Sequence, residues 1–251
     1  MSQIVWSEAL VPGNDIPIQN YTSEFYGDKI RIEKTKALPI EERKANFPDR
    51  RVYRSMSRAS VLLSSVCLKA ENEVKVFRER EPFGIGIYCA VENGSVDFES
   101  TKEMIDVTSD TFGDMYKKYR NPKMYLKQLP NLAASQMGIF LGILGPMHVY
   151  NSSTYGSLHA LEHAEMDLMD HRVNAALVCS AFSFENPLIM GRMNQTILNN
   201  RILCESSGAM LLVANETETD WKDCDYIHTD GFHGISHQII IQIERRKKNA
   251  D

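Results

Sequence analysis

Histidines are the residues whose type and spacing most directly suggest chemistry. His159, Glu162 and His163 form the pattern His-x-x-Glu-His. On a helix this spacing places both imidazoles on one face, where they can bind Zn²⁺ while the glutamate acts as a base. A zinc hydrolase is therefore one function open to this chain, although the pattern needs a third ligand and recurs readily by chance.

A second group of histidines lies near the end of the chain. His228, His233 and His237 follow one another at short intervals, and His233 sits within Gly231-Phe232-His233-Gly234. Isolated histidines usually occupy surfaces or loops and titrate near neutral pH. We expect the same here and assign them no catalytic role.

These residues must be positioned by an α/β framework. Residues 83–91 are almost all apolar or small and follow Pro82, which predicts a strand covered on both faces, and its partner is expected at residues 173–182. Apolar spacing predicts a helix over residues 51–70 and a buried, alanine-rich helix over residues 131–141 that ends near Gly142.

The remaining elements fit the same class of fold. Leu158, Leu161 and Leu168 form the stripe of a helix after Thr154, and residues 202–213 and 237–243 are expected to be strands. Residues 1–45 suggest an initial strand followed by loops. Because strands alternate with helices, an α/β sheet with helices on its faces is the predicted architecture.

The charge, the cysteines and the N-terminal sequence indicate which partners and which cellular compartment to expect. The chain has 251 residues, and 28 basic against 33 acidic residues give a formal charge of −5, which does not favour nucleic acid or anionic membrane as a partner. The five cysteines show no Cys-x-x-Cys spacing and are expected to be reduced thiols. The N-terminus has no secretion signal pattern, so a cytoplasmic protein is expected.

One continuous segment carries a family resemblance. Leu129-Pro-Asn-Leu-Ala-Ala-Ser-Gln-Met-Gly-Ile-Phe-Leu-Gly-Ile-Leu-Gly-Pro146 resembles the stretch that leads to the active site of β-ketoacyl synthases. The order continues: residues 153–161 resemble the nucleophile elbow, residues 173–181 the next strand, and residues 201–213 the strand that closes the first half of the fold. The resemblance implies a thiolase-like α/β fold, as a single domain over residues 1–251.

The chain departs from active ketosynthases at the nucleophile. The family presents a cysteine at a helix N-terminus, where the helix dipole favours its thiolate, but the alignment places Thr154 at that position. The family's catalytic histidines belong to its second half, for which residues 215–251 are expected to be a short replacement. The resemblance therefore implies a subunit without a catalytic residue, a metal or a cofactor.

The family member that fits is the chain-length factor. It resembles a ketosynthase, lacks the cysteine, and forms an obligate heterodimer with an active ketosynthase that takes malonyl and polyketide chains from an acyl carrier protein. Ketosynthases pair through the strand before the elbow. The expected dimer interface is therefore Met147, His148, Val149, Tyr150, Asn151, Ser152, Ser153, Thr154 and Tyr155.

Such a subunit limits the polyketide by shaping a tunnel. In the family, depth-setting residues come from the region that corresponds to residues 110–137. The tunnel-lining candidates are Met115, Tyr116, Tyr119, Leu132 and Met137. Products of the anthraquinone type are slightly favoured over aryl polyenes.

Two further readings stay open. Basic clusters at Arg50, Arg51, Arg54 and Arg58 and at residues 117–127 can dock an acidic carrier protein, although solvated faces are the simpler explanation. Alternatively, Thr154 or Tyr155 acts on a thioester, which would make the chain an enzyme.

Overall fold

A computed structural model describes residues 2–23, 27–39, 50–92, 94, 96–151, 155–193, 195–215 and 229–250. The strands are β1 (Ser2–Leu10), β2 (Gln19–Ser23), β3 (Gly27–Lys36), β4 (Ile85–Val91), β5 (Met147–Tyr150), β6 (Ala175–Phe182), β7 (Ile202–Cys204), β8 (Ser206–Ala214) and β9 (Gly231–Phe232). The helices are α1 (Arg50–Tyr53), α2 (Arg58–Cys67), α3 (Glu71–Arg78), α4 (Phe98–Met104), α5 (Phe112–Tyr119), α6 (Pro122–Gln128), α7 (Pro130–Leu141), α8 (Gly156–Met169), α9 (Pro187–Met190), α10 (Gln195–Leu198) and α11 (His237–Ala250).

The main sheet has the order β1-β8-β6-β4-β5. Strands β4 and β6 are partners, as the sequence predicted, and they pair in parallel with Ile85 opposite Ala175 and Val91 opposite Ala181. Every residue of both strands is buried. Apolar side chains occupy both faces of these strands because helices cover the sheet on both sides.

Two cores lie on opposite faces of this sheet. Ile87 and Cys89 face the core that includes residues of α2 and α7, whereas Tyr88 and Ala90 face the core that includes residues of α8 and α11. Successive residues alternate between the cores because side chains alternate across a strand. The result is a three-layer α/β/α arrangement.

The helices next to β5 match their predictions. Helix α7 starts with Pro130 in its first turn and stops at Gly142, whose φ of 63° is a left-handed conformation that glycine adopts without strain. In α8 the predicted stripe of Leu158, Leu161 and Leu168 is buried.

Four predictions of secondary structure were wrong. The helix expected over residues 51–70 is interrupted at residues 54–57, between α1 and α2. Residues 237–243 are helical: Ile239 and Ile243 are buried in the core beside β8, so tertiary packing outweighs the strand preference of β-branched residues. Residues 202–213 are divided between β7 and β8, which belong to different sheets. Strands β2 and β3 form an antiparallel pair where loops were expected.

Arg58 was also placed wrongly, because it does not belong to a solvated face. Its guanidinium forms an ion pair with Glu205, the residue that separates β7 from β8 and whose side chain is only 1% exposed. The carboxylate also accepts hydrogen bonds from the backbone N–H groups of Leu38 and Phe184. Burying a carboxylate is costly unless it is paired and hydrogen-bonded, so these donors stabilise the buried ion pair.

Candidate functional site

Strand β5 forms one edge of the main sheet, next to β4. Because the N–H of Ile87 donates to the carbonyl of Pro146, and alternate residues of a parallel strand bond to the same neighbour, His148 and Tyr150 direct their backbone groups toward β4. Met147 and Val149 direct theirs away. Among the described residues, no strand pairs with this outer edge.

Apolar side chains are exposed near this edge. Ile139 on α7 is 75% exposed, Leu144 is 58% exposed and Met147 is 38% exposed. Helix α7 lies against β5, since Gly138 approaches the methyl group of Met147. An open strand edge beside exposed apolar residues is a surface suited to a protein partner.

The structure describes six of the nine predicted interface residues. His148, Val149 and Tyr150 are half-buried, whereas Asn151 and Tyr155 are exposed. Ser152, Ser153 and Thr154, the last of them at the expected nucleophile position, lie outside the described residues. Helix α8 begins two residues later at Gly156, where an added Cβ would lie 2.7 Å from Ile235.

Behind β5 the structure brings together a group that the sequence did not predict. His148 Nε2 and His163 Nε2 each lie 3.7 Å from Asp167 Oδ2. The two rings are 4.1 Å apart between centroids. Burial and the neighbouring His163 lower the pKa of His148, although Asp167 opposes this effect. His163 and Asp167 are four residues apart on α8, but no short motif includes His148, which lies on β5.

The His-x-x-Glu-His pattern contributes only one residue to this group. His159 and Glu162 are exposed on α8. Of the described residues, the three whose ligand atoms lie close enough together for a metal ion are His148, His163 and Asp167. The zinc-protease arrangement, with His159 and His163 as ligands beside a third ligand and Glu162 as the base, is therefore not assembled in the described part of the chain.

The family follows from comparison with known proteins. Residues 29–209, more than half of the chain, match the description "Beta-ketoacyl synthase, N-terminal domain". The chain belongs to the β-ketoacyl synthase family. None of the curated protein sequences is significantly similar to it.

Solved ketosynthase structures share the fold. A type II polyketide synthase acyl carrier protein in complex with its ketosynthase bound to the hexaketide, AntDE:AntF, aligns with a TM-score of 0.58, 14% identity and 72% of this chain. The ketosynthase ApeO in complex with its chain length factor ApeC, from Xenorhabdus doucetiae, aligns with a TM-score of 0.54 and 13% identity over 86% of this chain. A β-ketoacyl synthase from Burkholderia phymatum aligns with a TM-score of 0.52 and 18% identity over 73% of this chain.

The fold is therefore thiolase-like α/β, as the sequence predicted. This chain covers 52%, 58% and 48% of those three proteins, about half of their length. Among its described helices, none is both long and apolar enough to cross a membrane.

The tunnel candidates of this ketosynthase relative lie in two environments. Met137 is fully buried on α7 and belongs to the core that covers the sheet. Met115, Tyr116 and Tyr119 on α5 and Leu132 on α7 are half-buried, and the ring of Tyr116 stacks on Phe112.

Sequence reasoning missed Gln136, the neighbour of Met137. Its side chain is 2% exposed. Neither its amide nitrogen nor its amide oxygen has a hydrogen-bond partner among the described residues. Leaving a buried amide without partners is costly.

The surface location expected for the tail histidines was wrong for His233 and His237, while His228 lies outside the described residues. Both are buried, since β9 and α11 fold back onto the core. Arg201 Nη1 lies 3.3 Å from His237 Nε2. Burial, followed by His237 and Arg201, lowers the pKa of His233 to about 3, and burial with Arg201 lowers that of His237 to about 4.

The lowered pKa values of His233 and His237 predict a loss of stability in mild acid. The unfolded chain takes up protons near pH 6.5, whereas both folded imidazoles stay neutral until pH 3 to 4. The free energy of unfolding should therefore fall as the pH decreases from about 6.5 to 4, by up to about 1.4 kcal/mol per pH unit for each histidine. Urea denaturation across this range measures the slope.

Two variants separate this effect from other titrations. His237→Gln should reduce the slope of the unfolding free energy against pH by the contribution of about one proton. Burial raises the pKa of Glu92 to about 7, so this carboxyl has the opposite effect and Glu92→Gln should steepen the loss. An unchanged slope in His237→Gln would contradict the assignment.

Proposed function

We propose that this chain is a non-catalytic chain-length factor that forms an obligate heterodimer with an active ketosynthase. The observation that carries the proposal is the open edge of β5, with Ile139, Leu144 and Met147 exposed near it. An edge of this kind associates with another chain unless it is covered. The ApeO and ApeC complex is a solved example of a ketosynthase with its chain length factor.

The nucleophile position supports a silent subunit. Thr154 stands where the family has cysteine, and a threonine hydroxyl has a far higher pKa than a thiol. It would attack a thioester only with a general base beside it. The chain therefore contributes shape, while its partner contributes the thiolate and the histidines.

The remaining parts of the proposal follow from this pairing. The carrier protein brings malonyl and polyketide chains to the catalytic partner in the cytoplasm. An aromatic polyketide is slightly favoured over an aryl polyene as the product. The AntDE:AntF complex is a solved example of an acyl carrier protein with a ketosynthase bound to a hexaketide.

Excluded volume is the mechanism by which this subunit sets chain length. A further two-carbon unit that meets a bulky side chain creates overlap comparable to overpacking a core, about 1–3 kcal/mol. Since 1.4 kcal/mol is about a factor of ten in rate, one side chain is sufficient to favour release over extension.

Replacing Tyr116 by alanine should lengthen the product by at least one two-carbon unit. Tyr116 is half-buried, so its removal disturbs folding less than loss of the fully buried Met137. The measurement is product mass after co-expression with the ketosynthase and carrier protein. Tyr116→Phe should keep the product length, as should Tyr125→Ala at a 50% exposed site. An unchanged length in Tyr116→Ala contradicts its role in the tunnel.

A further inference from the structure

We propose that His148, His163 and Asp167 form a binding site for one divalent transition metal ion, with Zn²⁺ as the best match, behind strand β5. Two imidazoles and a carboxylate are the ligand types that zinc uses in sites with an open coordination position. This inference does not depend on the proposed pairing with a ketosynthase.

The three donor atoms have suitable spacing. Both imidazole Nε2 atoms lie 3.7 Å from the same oxygen, Oδ2 of Asp167. Ligands about 2.0–2.2 Å from a tetrahedral zinc ion lie roughly 3.3–3.6 Å from one another. All three donor atoms lie within 4.8 Å of one another, so an ion can bind among them after the side chains move closer together.

Neighbouring groups orient the ligands. The Tyr150 hydroxyl forms a hydrogen bond with His163 Nδ1, which leaves Nε2 of that ring for the metal. The Tyr88 hydroxyl donates to Asp167 Oδ2 over 2.7 Å. Arg172 donates to Oδ1 over 3.2 Å, so it holds the other carboxylate oxygen. Hydrogen bonds from outer residues to the ligands are typical of protein metal sites.

Access and charge are also compatible with a cation. The side chains of His148 and His163 are 35% and 33% exposed, whereas Asp167 is only 3% exposed. The imidazoles thus open to solvent on one side, where water can complete the coordination. The positive charge of Arg172 opposes a cation, but this side chain is 65% exposed and also pairs with Asp170, which weakens the repulsion.

Metal titration of the full chain tests the site. After treatment with a chelator, the chain should bind one Zn²⁺ by calorimetry, and Co²⁺ should give the visible absorption of a low-coordinate site. His148→Ala and His163→Ala should each lower the affinity more than about 100-fold, since loss of a ligand exceeds the loss of an outer residue. Tyr150→Phe should lower it about 10-fold to 100-fold.

His159→Ala is the matched control. His159 lies on the same helix one turn before His163 and belongs to the His-x-x-Glu-His pattern, so this variant should bind the metal unchanged. Circular dichroism checks that each variant is folded. The proposal is overturned if the wild-type chain binds no stoichiometric metal, if His148→Ala binds as well as wild type, or if His159→Ala loses as much affinity as His163→Ala.

Discussion

Replacing Arg58 by alanine is expected to lower the free energy of unfolding by about 3–5 kcal/mol, because it leaves a charged carboxylate buried without its cation. Glu205 is 1% exposed and accepts from Arg58 Nε over 2.6 Å. The backbone N–H groups of Leu38 and Phe184 donate to the same carboxylate over 2.9 Å and 2.8 Å. These contacts join the end of β3, the start of α2 and the junction between β7 and β8.

Urea denaturation of three variants measures this contribution. Arg54→Ala, at an exposed position four residues away, should change stability by less than about 0.5 kcal/mol. Arg58→Lys keeps the charge but loses the bidentate geometry. Its loss of unfolding free energy should therefore lie between the losses in Arg54→Ala and Arg58→Ala. A loss below about 1 kcal/mol in Arg58→Ala would show that the pair contributes no more than a surface salt bridge.

Replacing Val149 by proline should abolish association with the ketosynthase while the chain stays folded. The N–H of Val149 points away from β4, so proline removes a donor from the outer edge and keeps the ladder between β4 and β5. Proline is tolerated on edge strands for this reason. If partners pair through this edge, loss of the donor and the rigid ring together disrupt the added strand.

Val149→Ala is the control for the lost side chain, because Val149 packs partly against the core beneath α7. Alanine removes the same apolar contact but retains the N–H, so this variant should still associate. Co-purification with a tagged ketosynthase distinguishes the two variants. Equal recovery of Val149→Pro and wild type would exclude β5 as the pairing edge.

The sequence predicted the elements whose environment is uniform. Strands β4 and β6 are buried on both faces, so their runs of apolar residues identify them without further context. Helix α7 carries its own signals, Pro130 at the start and Gly142 at the end. The motif order over residues 129–213 was sufficient to indicate the family that the comparison confirmed.

Features that depend on distant contacts were not predictable in the same way. Helix α11 has three consecutive isoleucines, and only its packing beside β8 makes the helix favourable. His163 and Asp167 lie one turn apart on α8, but only the pairing of β5 with β4 brings His148 beside them. Arg58 looks like part of a surface cluster until Glu205, 147 residues later, is placed beside it.

The mass of the co-expressed complex tests the central claim most directly. After incubation with a labelled acyl carrier protein, native mass spectrometry should show this chain and the ketosynthase in a 1:1 complex, and intact masses should show the acyl group on the ketosynthase alone. A monomeric chain that carries the acyl group itself, at Thr154 or elsewhere, would contradict the account.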